Sequence, residues 1–228
     1  MPTDFLTEAH ARAEICRVGR SLFERGYVHA TAGNISVRLA DGYLITPTDA
    51  CLGALEPDRL AKLDLQGQQL SGDRASKTIV LHRRIYEASA TTTAPARCEI
   101  HTHSTHLVTC PLLADAAQAE LLPALTPYFV MKVGRVTHIP YHRPGAPEAA
   151  QAVVEAIAQY AAAGRPIRAV MLARLGPNVW HDSPAAAMAT LEELEETAQL
   201  WNLCRHQPPA PLTDAQIDEL RQTFGASW

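Results

Sequence analysis

Apolar and polar positions divide the first third of the chain into a helical segment and two extended ones. From Thr7 to about Arg25 apolar residues recur every three or four positions, which predicts an amphipathic helix that stops at Gly26. Residues 35–46 instead alternate on either side of an Asp-Gly turn, as in a β-hairpin. A second hairpin is predicted over residues 59–70.

The rest of the chain repeats these two patterns. Helices are predicted at 78–88, at 107–119 with an interruption at Pro111, and at 148–162, 185–205 and 213–224. Strands or strand-like segments are predicted at 98–103, 125–131, 136–141, 168–173 and 178–181. Within the longest helix, the glutamates between positions 192 and 196 are interpreted as its solvated face.

Length and charge limit the class of protein. The chain has 228 residues, enough for one α/β domain spanning residues 1–228. Its net charge is −4, so no basic field favours nucleic acid, and an anionic substrate needs a local site. No apolar window of membrane-spanning length and no signal-like segment occurs, so we expect a cytoplasmic protein without a membrane partner. The five scattered cysteines are interpreted as reduced core residues.

His101 and His103 are the candidate metal ligands. On a strand, side chains two residues apart leave the same face, so both imidazoles are able to bind one metal ion. The alternative is a pair of hydrogen-bonded histidines without a metal. His106 is expected to begin the next helix, and His29 and His82 are interpreted as packed or hydrogen-bonded residues.

Three short polar segments, at residues 31–34, 46–49 and 71–77, lie at the ends of predicted elements. Small residues with free backbone N–H groups, hydroxyls and a lysine are able to bind a phosphate, especially where Ser76 and Lys77 lead into a helix. Each segment alone is typical of an ordinary turn. Their joint occurrence ahead of the histidine pair favours a phosphate site beside a metal.

Five motifs resemble, in order and spacing, the class II aldolase/adducin-head family. They are Thr31-Ala32-Gly33-Asn34-Ile35-Ser36-Val37-Arg38, Ile45-Thr46-Pro47-Thr48, residues 76–82, His101-Thr102-His103 and Leu172-Ala173-Arg174-Leu175-Gly176-Pro177. Residues 125–134, 140–145 and 192–198 are most similar to the 3-oxo-tetronate 4-phosphate decarboxylases within that family. The resemblance covers nearly the whole chain.

The resemblance implies a three-layer α/β/α fold around a mostly antiparallel sheet, commonly assembled as a tetramer. It implies a divalent metal, Zn²⁺ foremost, on His101, His103 and a third histidine. The implied reaction is that of a carbon–carbon lyase, the metal-assisted decarboxylation of a phosphorylated 3-oxo sugar acid, with aldol cleavage of a sugar phosphate as the alternative. The residues implied in binding the phosphate of this small anionic substrate are Gly33, Asn34, Thr48, Asp49, Ser76 and Lys77.

The chain departs from the family pattern at two positions. The third histidine corresponds to Leu175, which cannot bind a metal, and the catalytic glutamate corresponds to Thr78, which is no base near neutral pH. The candidate catalytic residues in this chain are Thr78, Lys77 and Arg174.

Three hypotheses follow from these departures. In the first, a modified decarboxylase keeps the metal with a replacement ligand, and it tolerates the missing base because CO₂ leaves without removal of a proton from carbon. In the second, the metal is lost, and Arg174 and Lys77 form a cationic pocket for an anion. In the third, the chain is a non-catalytic binding protein. The candidate replacement ligands are His106, His142, His181 and Glu99.

Overall fold

The structure, a computed structural model, describes residues 5–113 and 120–228. Within them the helices are α1 Glu8–Glu24, α2 Ile79–Ser89, α3 Thr105–Leu113, α4 Pro147–Ala162, α5 Pro184–Leu203 and α6 Asp214–Phe224. The strands are β1 Asn34–Arg38, β2 Gly42–Ile45, β3 Ala61–Asp64, β4 Gln69–Ser71, β5 Cys98–His101, β6 Thr137–Ile139, β7 Ala169–Leu172 and β8 Gly176–His181. No helix in the described ranges is long and apolar enough to cross a membrane.

All eight strands belong to one sheet, in the order β4-β3-β2-β1-β5-β8-β7-β6. Every neighbouring pair is antiparallel except β6 and β7. Ile35 and Ile100 point into a core shared with α1, α3 and α5, whereas Val170 and Trp180 point into a second core shared with α2 and α4. The predicted three-layer α/β/α arrangement with a mostly antiparallel sheet is confirmed.

Helix starts follow the local sequence. The Thr7 side chain accepts a hydrogen bond from the backbone of His10 at the start of α1, and Ser183 caps α5 in the same way. α6 begins with a capping box in which Thr213 and Gln216 satisfy each other's backbone N–H groups. These caps explain why the predicted starts of the three helices agree closely with the structure.

The strand-like prediction at 125–131 is wrong. Phe129–Val133 forms a π-helical turn that ends at Gly134, whose φ is +79°. Phe129 is fully buried and its ring meets Trp228 edge-on, with centroids 5.4 Å apart. A short apolar run has no periodicity that separates a buried strand from a buried helical turn, so packing against distant residues decides it.

Two predicted boundaries also change. β8 begins at Gly176, inside the predicted break, because Gly176 and Pro177 pair with β7. α3 begins at Thr105 and contains Pro111, while the predicted continuation over 114–119 lies outside the described residues.

The acidic run on α5 is not uniformly solvated. Glu195 is only 4% exposed, and its carboxylate accepts hydrogen bonds from the backbone N–H groups of His106 and Leu107, at 3.0 and 3.1 Å. Burial raises the pKa of this carboxyl, while the hydrogen bonds lower it. Glu195 therefore caps α3 from another helix, immediately after the histidine pair.

We expect Glu195→Ala to lower the free energy of unfolding by ~2 kcal/mol, because two N–H groups at the start of α3 lose a charged acceptor. Urea denaturation followed by circular dichroism measures the change. Glu196→Ala replaces an exposed glutamate on the same helix and should change stability by less than ~0.5 kcal/mol. Equal losses in the two variants would contradict the capping role.

Candidate active site

The histidine pair and the first polar segment meet at one end of the sheet. β5 lies between β1 and β8, and His101 at its end is directly opposite Asn34 on one side and Asn178 on the other. A Cβ atom on Gly33 would lie 2.9 Å from the carbonyl oxygen of His101, so the turn before β1 touches the end of β5. Gly33 has a φ of +85°, which explains the glycine there.

Hydrogen bonds join the second polar segment to Ile35, directly after the first segment, and also to the third segment. The Ile35 N–H donates to Thr46 Oγ1 at 3.2 Å, and the Ser76 N–H donates to the Thr46 carbonyl at the same distance. The Thr48 N–H donates to the Arg74 carbonyl at 2.8 Å. The segments predicted to bind phosphate are therefore contiguous in space, which the sequence pattern alone did not require.

The residues predicted to bind phosphate differ in charge and in the hydrogen-bonding groups that they have available. Asp49 is exposed with a φ of +57°, in the left-handed region, and its carboxylate repels an anion. Lys77 is exposed and makes no ion pair in the described part of the chain. Thr78 lies at the start of α2, and its hydroxyl is 2.8 Å from Ser76 Oγ, so it is engaged locally.

The histidine side chains converge, but not for the predicted reason. β5 ends at His101, so His103 lies beyond the strand and strand alternation does not place it. Their Nε2 atoms are nevertheless 3.1 Å apart, with ring centroids 5.0 Å apart. His101 Nδ1 is 2.8 Å from the carbonyl oxygen of Pro177, which only accepts hydrogen bonds. His101 therefore carries its proton on Nδ1 and directs the lone pair of Nε2 toward His103.

Burial keeps both imidazoles neutral. His101 is 8% exposed, and burial, with His103 nearby, lowers its pKa to about 3. Burial also lowers the pKa of His103, with a smaller contribution from nearby His29. A neutral imidazole is the form that binds a metal, so neither ligand has to lose a proton first near pH 7.

The pair fits a divalent ion, whereas Leu175, which the family resemblance places at the third ligand position, does not. Two ligand nitrogens on a tetrahedral Zn²⁺ lie about 3.3 Å apart, close to the 3.1 Å separation of the two Nε2 atoms. Leu175 packs against the core beneath α2 and α4 and has no donor atom. No group of three His, Cys, Asp or Glu side chains within 5–113 and 120–228 is arranged to hold a metal as it stands.

The suggested replacement ligands do not join the pair. His181 bonds Asp182 at 2.7 Å at the opposite end of β8, and the Glu99 carboxylate is 2.5 Å from His82 Nε2. Within the described structure, the side chains of His106 and His142 make no ring contact or hydrogen bond with the pair.

Arg174 lies at this end of the sheet, but in isolation. It occupies the turn between β7 and β8 with a φ of +63°, unfavourable for a residue with a Cβ atom. Its side chain is exposed and makes no hydrogen bond or salt bridge with the described residues. A joint cationic pocket of Arg174 and Lys77 remains a prediction.

A buried polar chain under α2 was not predicted as a unit. His82 Nδ1 is 2.7 Å from Ser36 Oγ, which is 2.6 Å from the Tyr86 hydroxyl, and His82 Nε2 meets Glu99. His82, Ser36 and Glu99 have no exposed surface. Burial raises the pKa of Glu99, and His82 opposes this shift. Polar residues at inward positions of predicted strands are the available sequence signal, since Ser36 and Glu99 are cross-strand partners.

Comparisons with known proteins extend over nearly the full length. Residues 13–202 match the family profile described as the class II aldolase and adducin N-terminal domain. The 3-oxo-tetronate 4-phosphate decarboxylase of Cupriavidus necator is 49% identical, covering 97% of this chain and 99% of that protein. The protein of the same name from Escherichia coli is 38% identical, covering 94% and 96%. The crystal structure of YgbL from Klebsiella pneumoniae, for which aldolase, epimerase and decarboxylase are given as alternatives, has a TM-score of 0.85 at 37% identity, covering 95% of this chain and 100% of that one.

We expect Glu99→Ala and His82→Ala each to lower the free energy of unfolding by ~3 kcal/mol, because each leaves a buried polar group without its partner. The double variant should lose less than the sum of the two. Urea unfolding of the four proteins measures this coupling. Glu87→Ala, at an exposed position on α2, is the control, and strictly additive losses would contradict a coupled pair.

The pKa of His101 predicts acid sensitivity of the metal-free protein. Because the folded pKa of about 3 lies below the unfolded value, the unfolded chain alone binds this proton between the two values, and stability falls as pH decreases. Between pH 7.5 and 5 the wild type should lose ~2 kcal/mol more than His101→Gln. Urea unfolding at both pH values measures the difference. If NMR shows that His101 of the folded protein titrates near pH 6.5, its pKa is not lowered and the prediction is contradicted.

Proposed function

The chain belongs to the class II aldolase and adducin N-terminal domain family, and we propose that it is a carbon–carbon lyase that decarboxylates a phosphorylated 3-oxo sugar acid. The observation that carries this proposal is the meeting of the neutral pair His101 and His103 with three contiguous polar segments at one end of the sheet. The relatives named as 3-oxo-tetronate 4-phosphate decarboxylases support that substrate class.

The polar segments bind the phosphate in this proposal. Gly33 and Asn34 contribute the turn before β1, Thr48 and Asp49 contribute the loop after β2, and Ser76 and Lys77 precede α2. Lys77 supplies positive charge without an intramolecular carboxylate competing for it in the described structure. Anchoring the phosphate end of the substrate directs its 3-oxo acid end toward the histidine pair.

Decarboxylation breaks the bond between the carboxylate carbon and its neighbour. The electron pair left by CO₂ moves onto the 3-oxo oxygen. A proton from solvent then adds to the carbon that lost CO₂, and the ketone forms again. His101 and His103 would hold a divalent ion, Zn²⁺ in this proposal, which supplies Lewis-acid polarisation of the ketone when bound. The Pro177 carbonyl keeps His101 in the required tautomer.

The local chemistry favours decarboxylation over aldol cleavage. Aldol cleavage requires a base to remove a hydroxyl proton, and Thr78 with its hydroxyl bonded to Ser76 is no base near neutral pH. Loss of CO₂ requires no such step. The absent glutamate therefore impairs the aldolase reaction more than the decarboxylase reaction.

We also propose a cytoplasmic homo-oligomer, a tetramer by family resemblance. Exposed large side chains support subunit contacts. Leu203 is 72% exposed, Tyr128 is 62% exposed and Tyr141 is 61% exposed.

The test is CO₂ release from a 3-oxo-tetronate 4-phosphate. We expect turnover that a chelator abolishes, that an added divalent ion restores, and that His103→Ala lowers by at least ~10-fold. Lys77→Ala should mainly raise KM, because its contact with the phosphate is the same in the ground and transition states.

His10→Ala, at an exposed position on α1, is the matched control and should leave turnover unchanged. CO₂ release that neither the chelator nor His103→Ala affects would reject the metal-assisted reaction.

A further inference from the structure

His29 is the one further histidine whose ring contacts the pair within the described residues. Its centroid lies 6.4 Å from that of His103, with the ring planes at 74°. It is exposed, and its ring has no hydrogen bond in the described structure. The other candidate ligands are bonded elsewhere or make no contact with the pair.

The backbone that carries His29 is held against the site. The Ala32 N–H donates to the His29 carbonyl at 2.9 Å, closing a turn. Gly33 follows and touches the end of β5, since its Cβ atom would lie 2.8 Å from Val28 and 2.9 Å from the His101 carbonyl. The freedom of His29 therefore resides in its side-chain torsions, which are cheap to change at an exposed position.

Ring spacing indicates how far His29 would have to move. Imidazoles that share a tetrahedral ion through Nε2 have centroids about 5 Å apart, and the His101 and His103 centroids are 5.0 Å apart. The 6.4 Å from His29 to His103 exceeds this by little more than ~1 Å, within reach of a side-chain rotation.

The strand order explains how a ligand from this loop could substitute for one from the family position. β5 lies between β1 and β8. Leu175 precedes β8, and His29 precedes β1 on the other side of the same strand end. Both loops therefore flank the ion position that the histidine pair defines.

We propose that His29 is the third metal ligand of this chain, rotating onto an ion held by His101 and His103 in place of the ligand that Leu175 cannot supply. The inference rests on the metal of the proposed function but not on its substrate. Three neutral imidazoles leave the ion its full positive charge and one open position, which suits an anionic substrate.

The experiment titrates metal-free full-length protein with Co²⁺ and follows visible absorption, with Zn²⁺ affinity measured by competition. We expect the wild type to give the intense bands of four-coordinate cobalt. His29→Ala should give weak bands of higher coordination and bind Zn²⁺ at least ~10-fold more weakly. His106→Ala, a nearby histidine outside the cluster, should match the wild type.

Leu175→His provides the decisive comparison, because it adds a donor at the third ligand position of the family. When Leu175→His is already present, adding His29→Ala should change Zn²⁺ affinity by less than ~2-fold. Circular dichroism checks that each variant is folded. The inference is overturned if His29→Ala matches the wild type in spectrum and affinity, or if the wild type binds neither ion.

Failure of this inference is distinguishable from failure of the proposed function, because the titration contains no substrate. Ion binding that depends on His29 without any CO₂ release would uphold the ligand and reject the decarboxylase. Metal-dependent CO₂ release together with an unchanged Zn²⁺ affinity of His29→Ala would reject the ligand and uphold the decarboxylase.

Discussion

The hydrogen bond between His101 and the carbonyl of Pro177 determines most of the site's chemistry. It joins β5 to β8, places the imidazole proton on Nδ1 and directs Nε2 toward His103. The contact requires close strands at this point, and a Cβ atom on Gly176 would overlap the carbonyl oxygen of Thr102. The orientation of the pair therefore depends on a glycine in the neighbouring strand.

The two departures from the family pattern have different chemical consequences. By family resemblance, Thr78 stands at the position of a base, and a reaction that needs no base is favoured there. Leu175 stands at the position of a metal ligand, and its side chain has no donor atom. The chain does place a carboxylate beside the histidine of α2, but it comes from Glu99 on β5 and is fully buried. This buried pair joins a strand to a helix, and loss of either partner leaves the other buried without it.

Local signals in the sequence were sufficient for much of the fold and part of the site. Helix caps such as Thr7 and Ser183 act within three residues, and the hairpin turn before β2 is equally local, so their elements could be predicted. The family motifs correctly indicated the layered architecture and the carbon–carbon lyase class. The close approach of His101 and His103 was also expected, although the strand argument for it was wrong.

The sequence by itself determined which chemical groups are present and where local elements begin, and the tertiary structure decided which of those groups meet. Glu195 was predicted on a solvated face but caps α3, and the strand-like run near Phe129 is a π-helical turn. In the same way, His29 is brought toward His103 by the turn before β1. These outcomes depend on contacts between residues far apart in the chain, and the periodicity of hydrophobic positions describes only the few residues on either side of each one.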